Sequence, residues 1–374
     1  MVLACFPWER IVYMLQDRGE TRPMACNKAG HSLPGLIENE AELEEILTRP
    51  MPETVKAVSQ VDGDILVLGV SGKIGPTLAR LVKRAVDEGG LAKKVIGASR
   101  FSTPGLREEL EKTGVETVSC DLLEEECLKR LPEASNVIYM VGRKFGTEED
   151  SSLTWAVNTL IPAMVARRFR SSRIVVFSTG NVYPLVPLSS CGADESTPPG
   201  PVGEYAQSCL GRERIFEYFS KKYGLKTLFL RLNYAVELRY GVLLDVAQKV
   251  FEGRPVDLRM GYVNVIWQGD VNNIAVRSLQ LCESPPEVIN VTGPDVVSVR
   301  WLAEQFGTIF RKEPVFRNME MEKALLSNAS KCFRLFGCPT VTIGQMIRWV
   351  AHWVMIGGCT FNKPTHFEVA DGKF

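Results

Sequence analysis

The sequence predicts an α/β fold, a doubly wound parallel sheet followed by a smaller C-terminal α/β region. Three observations carry this. Between Gly63 and Tyr234, short apolar runs of strand length alternate with longer helical segments, the pattern of strand–helix–strand units in a parallel sheet. The first apolar run, DILVL, leads into Gly69, Gly72 and Gly75, which open a helix. Beyond Asn233 the alternation gives way to fewer strands and more helices. The 374 residues suit one α/β domain with an addition.

Residues 1–36 are expected to be a disordered extension. They mix apolar residues with Glu9, Arg10, Asp17 and Arg18 and lack the basic start and small-residue cleavage site of a secretory signal. Residues 37–62 form an N-terminal helical segment. Glu38–Thr48 places Leu43, Ile46 and Leu47 on one side of a helix, Pro50 and Pro52 end it, and Glu53–Gln60 is a second short helix. Residues 63–233 are the nucleotide-binding domain. Its strands are expected at Asp64–Leu68, Lys94–Ala98, Val115–Ser119, Asn136–Val141, Arg173–Phe177 and Lys226–Arg231. Its helices are expected at Pro76–Val86, Leu106–Lys112, Leu122–Leu131, Leu153–Phe169 and Glu204–Tyr223. Residues 234–357 form a substrate-binding region whose Thr342–Val354 stretch reads as a core helix, and residues 358–374 are a polar, irregular tail.

Composition narrows the function. The 44 basic and 44 acidic residues cancel, and no long basic block occurs, which argues against nucleic acid or an anionic membrane as partner. No apolar run approaches the roughly 18 residues of a membrane span. The ten cysteines are scattered without a CxxC, as reduced thiols of a cytoplasmic protein would be, and no zinc spacing or other metal site is evident. His352 lies in the apolar stretch Met346–Met355 and is expected in the core.

The glycine turn Gly69–Gly75 (GVSGKIG) points to a dinucleotide. The first glycine permits the tight turn, the second lets the backbone approach a diphosphate, and the third lets helix and strand pack closely. Ser71, Lys73 and Ile74 fill the turn, and the helix N-terminus offers free N–H groups and partial positive charge. This makes the domain Rossmann-type, with NAD or NADP as cofactor. An acid for the ribose hydroxyls is missing at the end of the second strand, which reads Ser99-Arg100. An arginine there suits a 2′-phosphate, so NADP is favoured over NAD. Val141, which ends the fourth strand, and Gly142, just past it, should border the cofactor, since sites in such sheets form at the carboxyl ends of strands.

Several segments together resemble the short-chain dehydrogenase/reductase superfamily, over about Gly63 to Val350. Leu68–Gly75 resembles its TGxxGxxG, with Leu68 in place of threonine. Cys120-Asp121-Leu122 resembles the D-[LV] pair, and the resemblance implies that Asp121 contacts adenine. Asn158 in WAVNTLIPAMVA resembles the helix-borne asparagine, and FSTGNVY (Phe177–Tyr183) the S-[ST]-x-x-V-Y segment. RLNY (Arg231–Tyr234) resembles R-x-x-N-[VY]-G in compressed form, and NVTG (Asn290–Gly293) the later N-[VI]-x-G. Long insertions mark the extended branch of NAD-dependent epimerases and dehydratases.

The resemblance implies a tyrosine and a lysine four residues apart, with a nearby Ser or Thr. The lysine lowers the tyrosine pKa, and the tyrosine exchanges a proton with a substrate hydroxyl. Thr179 and Tyr205 stand at the hydroxyl and tyrosine positions, but the lysine position holds Cys209. Tyr218 and Lys222 repeat the spacing at the wrong end of the same helix. Lys144, with Arg143 beside it, is the candidate to replace the missing charge from the loop after the fourth strand. The implied activity is an NAD(P)-dependent epimerase, dehydratase or reductase acting on a sugar or sugar-nucleotide. Asn233, Arg254 and Trp267, with Asn264 and Gln268, are candidate substrate contacts, and Asp270 is expected to cap the following helix. Cys209 keeps open an alternative, a noncatalytic NAD(P)-binding sensor or assembly protein. The family resemblance also implies a homodimer through Leu153–Phe169 and Glu204–Tyr223, with Leu210, Phe216 and Phe219 offering apolar surface; a monomer is the alternative.

Overall fold

All four residues of β1 (Ile65–Leu68) are apolar and buried, as a central strand covered by helices on both faces must be. The computed structural model describes residues 33–363 and 365–373, so the expected N-terminal extension lies outside the described residues up to residue 32. Residues from Gly35 onward pack as one unit.

β1 is joined by β2 (Val95–Ser99), β3 (Glu116–Ser119), β4 (Asn136–Tyr139), β5 (Arg173–Thr179) and two later strands, Lys226–Leu232 and Glu287–Val291. All pair in parallel. The order across the sheet is Glu287–Val291, Lys226–Leu232, β5, β4, β1, β2, β3. The chain therefore winds outward in opposite directions from β1 and β4, and a crevice opens at their carboxyl ends. The sequence alternation ended at six strands. The seventh comes from the region assigned to substrate binding and is edged onto Lys226–Leu232, with Ile289 paired to Leu230.

The sheet is sandwiched between two apolar layers. One side holds Val67, Leu78, Val82, Val175 and Ile274, and the other holds Leu66, Tyr139, Val165, Phe216 and Phe229. The first layer is supplied by α2 (Pro52–Ser59), α3 (Gly75–Glu88) and, later in the chain, Gln268–Arg277, with α1 (Glu40–Leu47) packed against the last two. Then come α4 (Leu106–Lys112), α5 (Glu125–Lys129), α6 (Ser151–Trp155), α7 (Ile161–Arg168) and the long α8 (Gly203–Tyr223). After the sixth strand follow α9 (Val242–Phe251), α10 (Gln268–Arg277), α11 (Val299–Phe310), α12 (Ser330–Phe336) and α13 (Ile343–Met355).

Several expectations are corrected. The helix predicted as continuous over Leu153–Phe169 is interrupted by a π-helical turn, Ala156–Leu160. Pro162 has no N–H for the carbonyl four residues back, at Asn158, so the regular ladder fails there. The helix expected at Leu122 begins only at Glu125, because the Asp121 carboxylate accepts the Leu123 N–H and its carbonyl accepts the Glu124 N–H. Asp270 lies inside α10 instead of capping it. Its carboxylate accepts from the Thr340 N–H and hydroxyl and the Val341 N–H, tying α10 to the segment before α13. His352 meets the exposed Glu38 across 2.8 Å and so reaches the surface of α13. Phe216 and Phe219 are buried in the sheet-facing layer, Phe216 edge-on to Tyr139, so they offer no free face to a second copy.

Candidate active site

The glycine turn follows directly from β1. Gly69 adopts φ +82°, and a side chain there would meet the Val141 nitrogen at 3.0 Å. The Met140–Val141 backbone at the end of β4 can thus close against the turn. Gly75 opens α3, and a Cβ on it would lie 2.3 Å from the Val70 carbonyl oxygen. Helix and turn pack at a distance only glycine allows. Gly72 is exposed, and its Cβ position is crowded only by the Gly69 carbonyl, at 3.2 Å. The Ser71 hydroxyl is buried in this turn with no hydrogen-bond partner among the described residues. An orphaned donor beside a helix N-terminus, in a cradle kept clear of side chains, fits the diphosphate of a dinucleotide. Ser99 and Arg100 follow at the end of β2, with Arg100 exposed. Leu122 is buried below Asp121 at the end of β3.

Beside the turn lies a cavity of about 170 Å³. Thr179 from the end of β5, Tyr205 from the first turn of α8, Lys144 from the loop after β4, and Lys73 and Ile74 from the glycine turn all line it. Asn233, Tyr234 and Tyr240 form the opposite wall, and Thr365 from the C-terminal tail completes it. Three residues expected to be catalytic therefore share one cavity. Tyr205 is hydrogen-bonded to Thr179 and Cys209, and burial, with Cys209 adding to it, holds its phenol well above its ordinary pKa; Arg212 works in the opposite direction. The Lys144 ammonium donates to the Thr365 carbonyl and sits 5.8 Å from the centre of the Tyr205 ring. Desolvation pulls its pKa down to about 8, with Cys209 and Asp245 opposing. Arg143 turns instead to the Gly146 carbonyl in its own loop.

Sequence reasoning missed Arg212. It lies one helical turn beyond Cys209, is 5 % exposed, and donates to the Phe177 carbonyl at 2.9 Å and to Asn158 Oδ1 at 2.6 Å. A Cβ on Gly142 would meet its guanidinium at 2.7 Å. Its Nε has no partner, and among the described residues no carboxylate forms an ion pair with it. Burial disfavours its charge, but Cys209, Tyr139, Tyr205 and Glu213 together more than offset this. Cys209 is itself fully buried, its thiol pushed up by burial, and its short side chain leaves the interior of α8 to the guanidinium. An arginine on an interior helix position is visible in the sequence, but only the α8–β5 packing shows where its charge goes.

Asn158 sits on the π turn and acts as a hub. Its amide donates to the Arg143 carbonyl and the Ser208 hydroxyl, and its oxygen accepts from the Arg143 N–H and from Arg212. It fixes the loop Gly142–Lys144 to α8, with its donors and acceptor engaged by protein. Below the site, Glu213 pairs with Arg231 at 2.7 Å; Arg231 also donates to Tyr183, which donates to Asn290.

The expected substrate contacts separate. Asn233 lines the cavity and is held by Asn264 at 2.7 Å. Trp267 is a correction: it is buried, packed edge-on against Trp349, and away from the cavity, because the apolar indole is better served by the α10–α13 core. Gln268 likewise turns inward to Thr77 on α3. Arg254 pairs with Glu252 beside a second cavity, lined by Arg239, Lys249 and His366. Tyr218 and Lys222 hydrogen-bond to one another on the exposed end of α8.

Comparison with known proteins agrees with this fold. Residues 65–237 match the model of the NAD dependent epimerase/dehydratase family. No curated protein sequence matches the chain. Among solved structures, the UDP-glucose 4-epimerase of Thermus thermophilus, in complex with NAD, shares 22 % identity over 77 % of this chain and 98 % of its own, with a TM-score of 0.64. The dTDP-glucose 4,6-dehydratase of Bacillus anthracis shares 17 % over 79 % and 97 %, with a TM-score of 0.66. The UDP-glucuronic acid 4-epimerase of Bacillus cereus shares 18 % over 78 % and 99 %, also at 0.66. Residues 65–237 thus match the NAD dependent epimerase/dehydratase family model, and the fold built around them is similar to that of these solved structures.

Proposed function

We propose that this chain is an NAD(P)-dependent epimerase, dehydratase or reductase that acts on a sugar-nucleotide. The observation that supports it most is the meeting of Thr179, Tyr205 and Lys144 on one cavity beside the glycine turn. A bound nicotinamide would accept and return a hydride there. Ser71 and the amides opening α3 hold the diphosphate, and Ser99 and Arg100 take a 2′-phosphate, which makes NADP the favoured form. Asp121 and Leu122 face adenine, and Val141, Gly142 and Asn158 shape the wall along the ribose. Thr179 orients the substrate oxygen, and Asn233 holds the sugar from the far wall. Tyr205 takes the proton of that oxygen as the hydride leaves and gives it back as the hydride returns; burial favours its protonated form, and the neighbouring cations favour the phenolate. Two cations take over the work of the missing lysine: Lys144 from the cavity side, and Arg212 from within α8, where it favours the phenolate. The protein works in the cytoplasm, and its α6–α7 and α8 surface, with Trp155, Leu160 and Tyr218 exposed, is the face for a second copy.

The raised Tyr205 phenol beside an uncharged Cys209 favours one other reading, a noncatalytic NAD(P)-binding protein. Titration of purified protein with NADH and NADPH, then turnover assays on a panel of UDP- and dTDP-sugars, separates the two. Cofactor binding with turnover that is lost in Tyr205→Phe supports the enzyme. Cofactor binding without turnover on any sugar supports the binder, and no cofactor binding rejects both.

A further inference from the structure

The cavity that holds Tyr205 is lined by two lysines and by no aspartate or glutamate. Lys73 belongs to the glycine turn, but its side chain leaves the diphosphate cradle and crosses to the substrate wall. There its ammonium rests 3.3 Å above the Tyr240 ring. Among the described residues, that ammonium makes no hydrogen bond or ion pair. The nearest carboxylates are committed elsewhere, Glu237 to Arg239 and Asp245 to Thr365. Lys144 lines the same cavity, and its charge helps to disfavour that of Lys73. Two like charges with little water cost free energy unless an anion enters between them. Other lining groups, among them Thr179, Asn181, Asn233 and Tyr205, offer hydroxyls and amides suited to sugar oxygens.

We propose that the substrate's sugar carries a carboxylate, and that Lys73 and Lys144 bind it as a pair. The substrate class is then a nucleotide-linked uronic acid or a related acidic sugar. This inference rests on the sugar-nucleotide reading of the site and adds its charge. The Lys73 ammonium, pulled down to about 7 by desolvation, with Glu237 and Asp245 opposing and Lys144 and Lys363 reinforcing, gives the binding a pH signature. The pair is predominantly charged below neutrality, and carboxylate preference declines as pH rises through about 7 to 8.

The test is calorimetry on the cofactor-loaded chain with UDP-glucuronate and UDP-glucose at pH 6.5 and 8.5, for the natural protein and Lys73→Met. Expected is roughly tenfold or greater preference for the glucuronate at the lower pH, shrinking at the higher pH and abolished in Lys73→Met. Equal affinity for the two sugars, or a preference retained in Lys73→Met, overturns the proposal. Loss of NADPH affinity in Lys73→Met without change in sugar preference also overturns it, because the lysine then serves the cofactor diphosphate. If neither nucleotide sugar binds, the sugar-nucleotide reading fails on its own. The melting shift by free D-glucuronate against D-glucose then decides the inference: a glucuronate-specific shift, lost in Lys73→Met, upholds it, and no shift refutes it. If Lys73→Met does not fold, the pH dependence of the natural protein's preference decides alone.

Discussion

If Arg212 supplies the positive charge beside Tyr205, then introducing a lysine at position 209 should harm this protein unless the arginine is removed. Cys209 and Arg212 are three residues apart on α8, which places their Cβ atoms about 5–6 Å apart. Both positions are buried. Cys209→Lys would bring a second cation beside the guanidinium. At about 5.5 Å and an effective dielectric near 20, the repulsion is about 3 kcal/mol, added to the cost of burying the ammonium. Arg212→Met alone leaves the Phe177 carbonyl and one side of Asn158 without a donor, worth about 1–3 kcal/mol. The double variant keeps one cation in the neighbourhood and escapes the repulsion. The coupling free energy should therefore be favourable by about 3 kcal/mol. With an unfolding entropy of ~2.1 cal/mol/K per residue over Gly35–Phe374, that is about 4 °C in melting temperature. Thermal and denaturant unfolding of the four proteins, read alongside NADPH affinity, measure it. A double variant less stable than both singles, with losses that add to within about 0.5 kcal/mol, would show that the positions are independent and refute the exchange.

Lys144→Met should lower turnover on the substrate by about 10²-fold, a usual scale for a group that assists proton transfer. Because Lys144 is charged below about 8, the natural rate should fall as pH rises through that value, and the variant's pH–rate profile should lose that limb. Arg100→Glu should weaken NADPH binding by tenfold or more while leaving NADH within a few-fold, read by fluorescence titration; equal losses for both would remove the 2′-phosphate role. Glu213→Gln should cost about 3–5 kcal/mol in urea unfolding, since it strands the buried Arg231 guanidinium without its carboxylate. A loss under 1 kcal/mol would mean that Tyr183 and the surrounding carbonyls hold Arg231 without it.

The parallel core was legible because its signals are local. DILVL must be a doubly covered strand, and Gly69 and Gly75 sit where only glycine fits, so β1, the turn and α3 could be placed from composition alone. The seventh strand was missed because Glu287–Val291 has an edge strand's mixed character and becomes a strand only by pairing with Lys226–Leu232. Lys144 comes from the loop after β4, and Thr179 and Tyr205 from the end of β5 and the first turn of α8, and the rule that sites form at the carboxyl ends of strands placed them together. Arg212 escaped for the converse reason: it runs inward where arginine usually runs out. Lys73 was expected at the cofactor as part of the glycine turn, and only the folded chain shows its ammonium lying over the Tyr240 ring. Trp267 was drawn to the substrate by residue type, whereas tertiary packing against Trp349 claims it. The tail, polar in composition, still buries Phe367 and contributes Thr365 to the cavity wall, which no periodicity announces.

The widened turn at Ala156–Leu160 amounts to one surplus residue threaded into an otherwise ordinary helix. Deleting that residue would tighten the coil and spare a backbone irregularity, yet it would swing everything on one side of the cut by about 100° around the axis. The amide that staples the Gly142–Lys144 loop to α8 would then point at a neighbouring side chain or at water. Single-residue deletions between Ala156 and Leu160 should therefore yield chains that fold but have lost the shape of their cleft, which makes this stretch a place where length, more than residue identity, is under constraint.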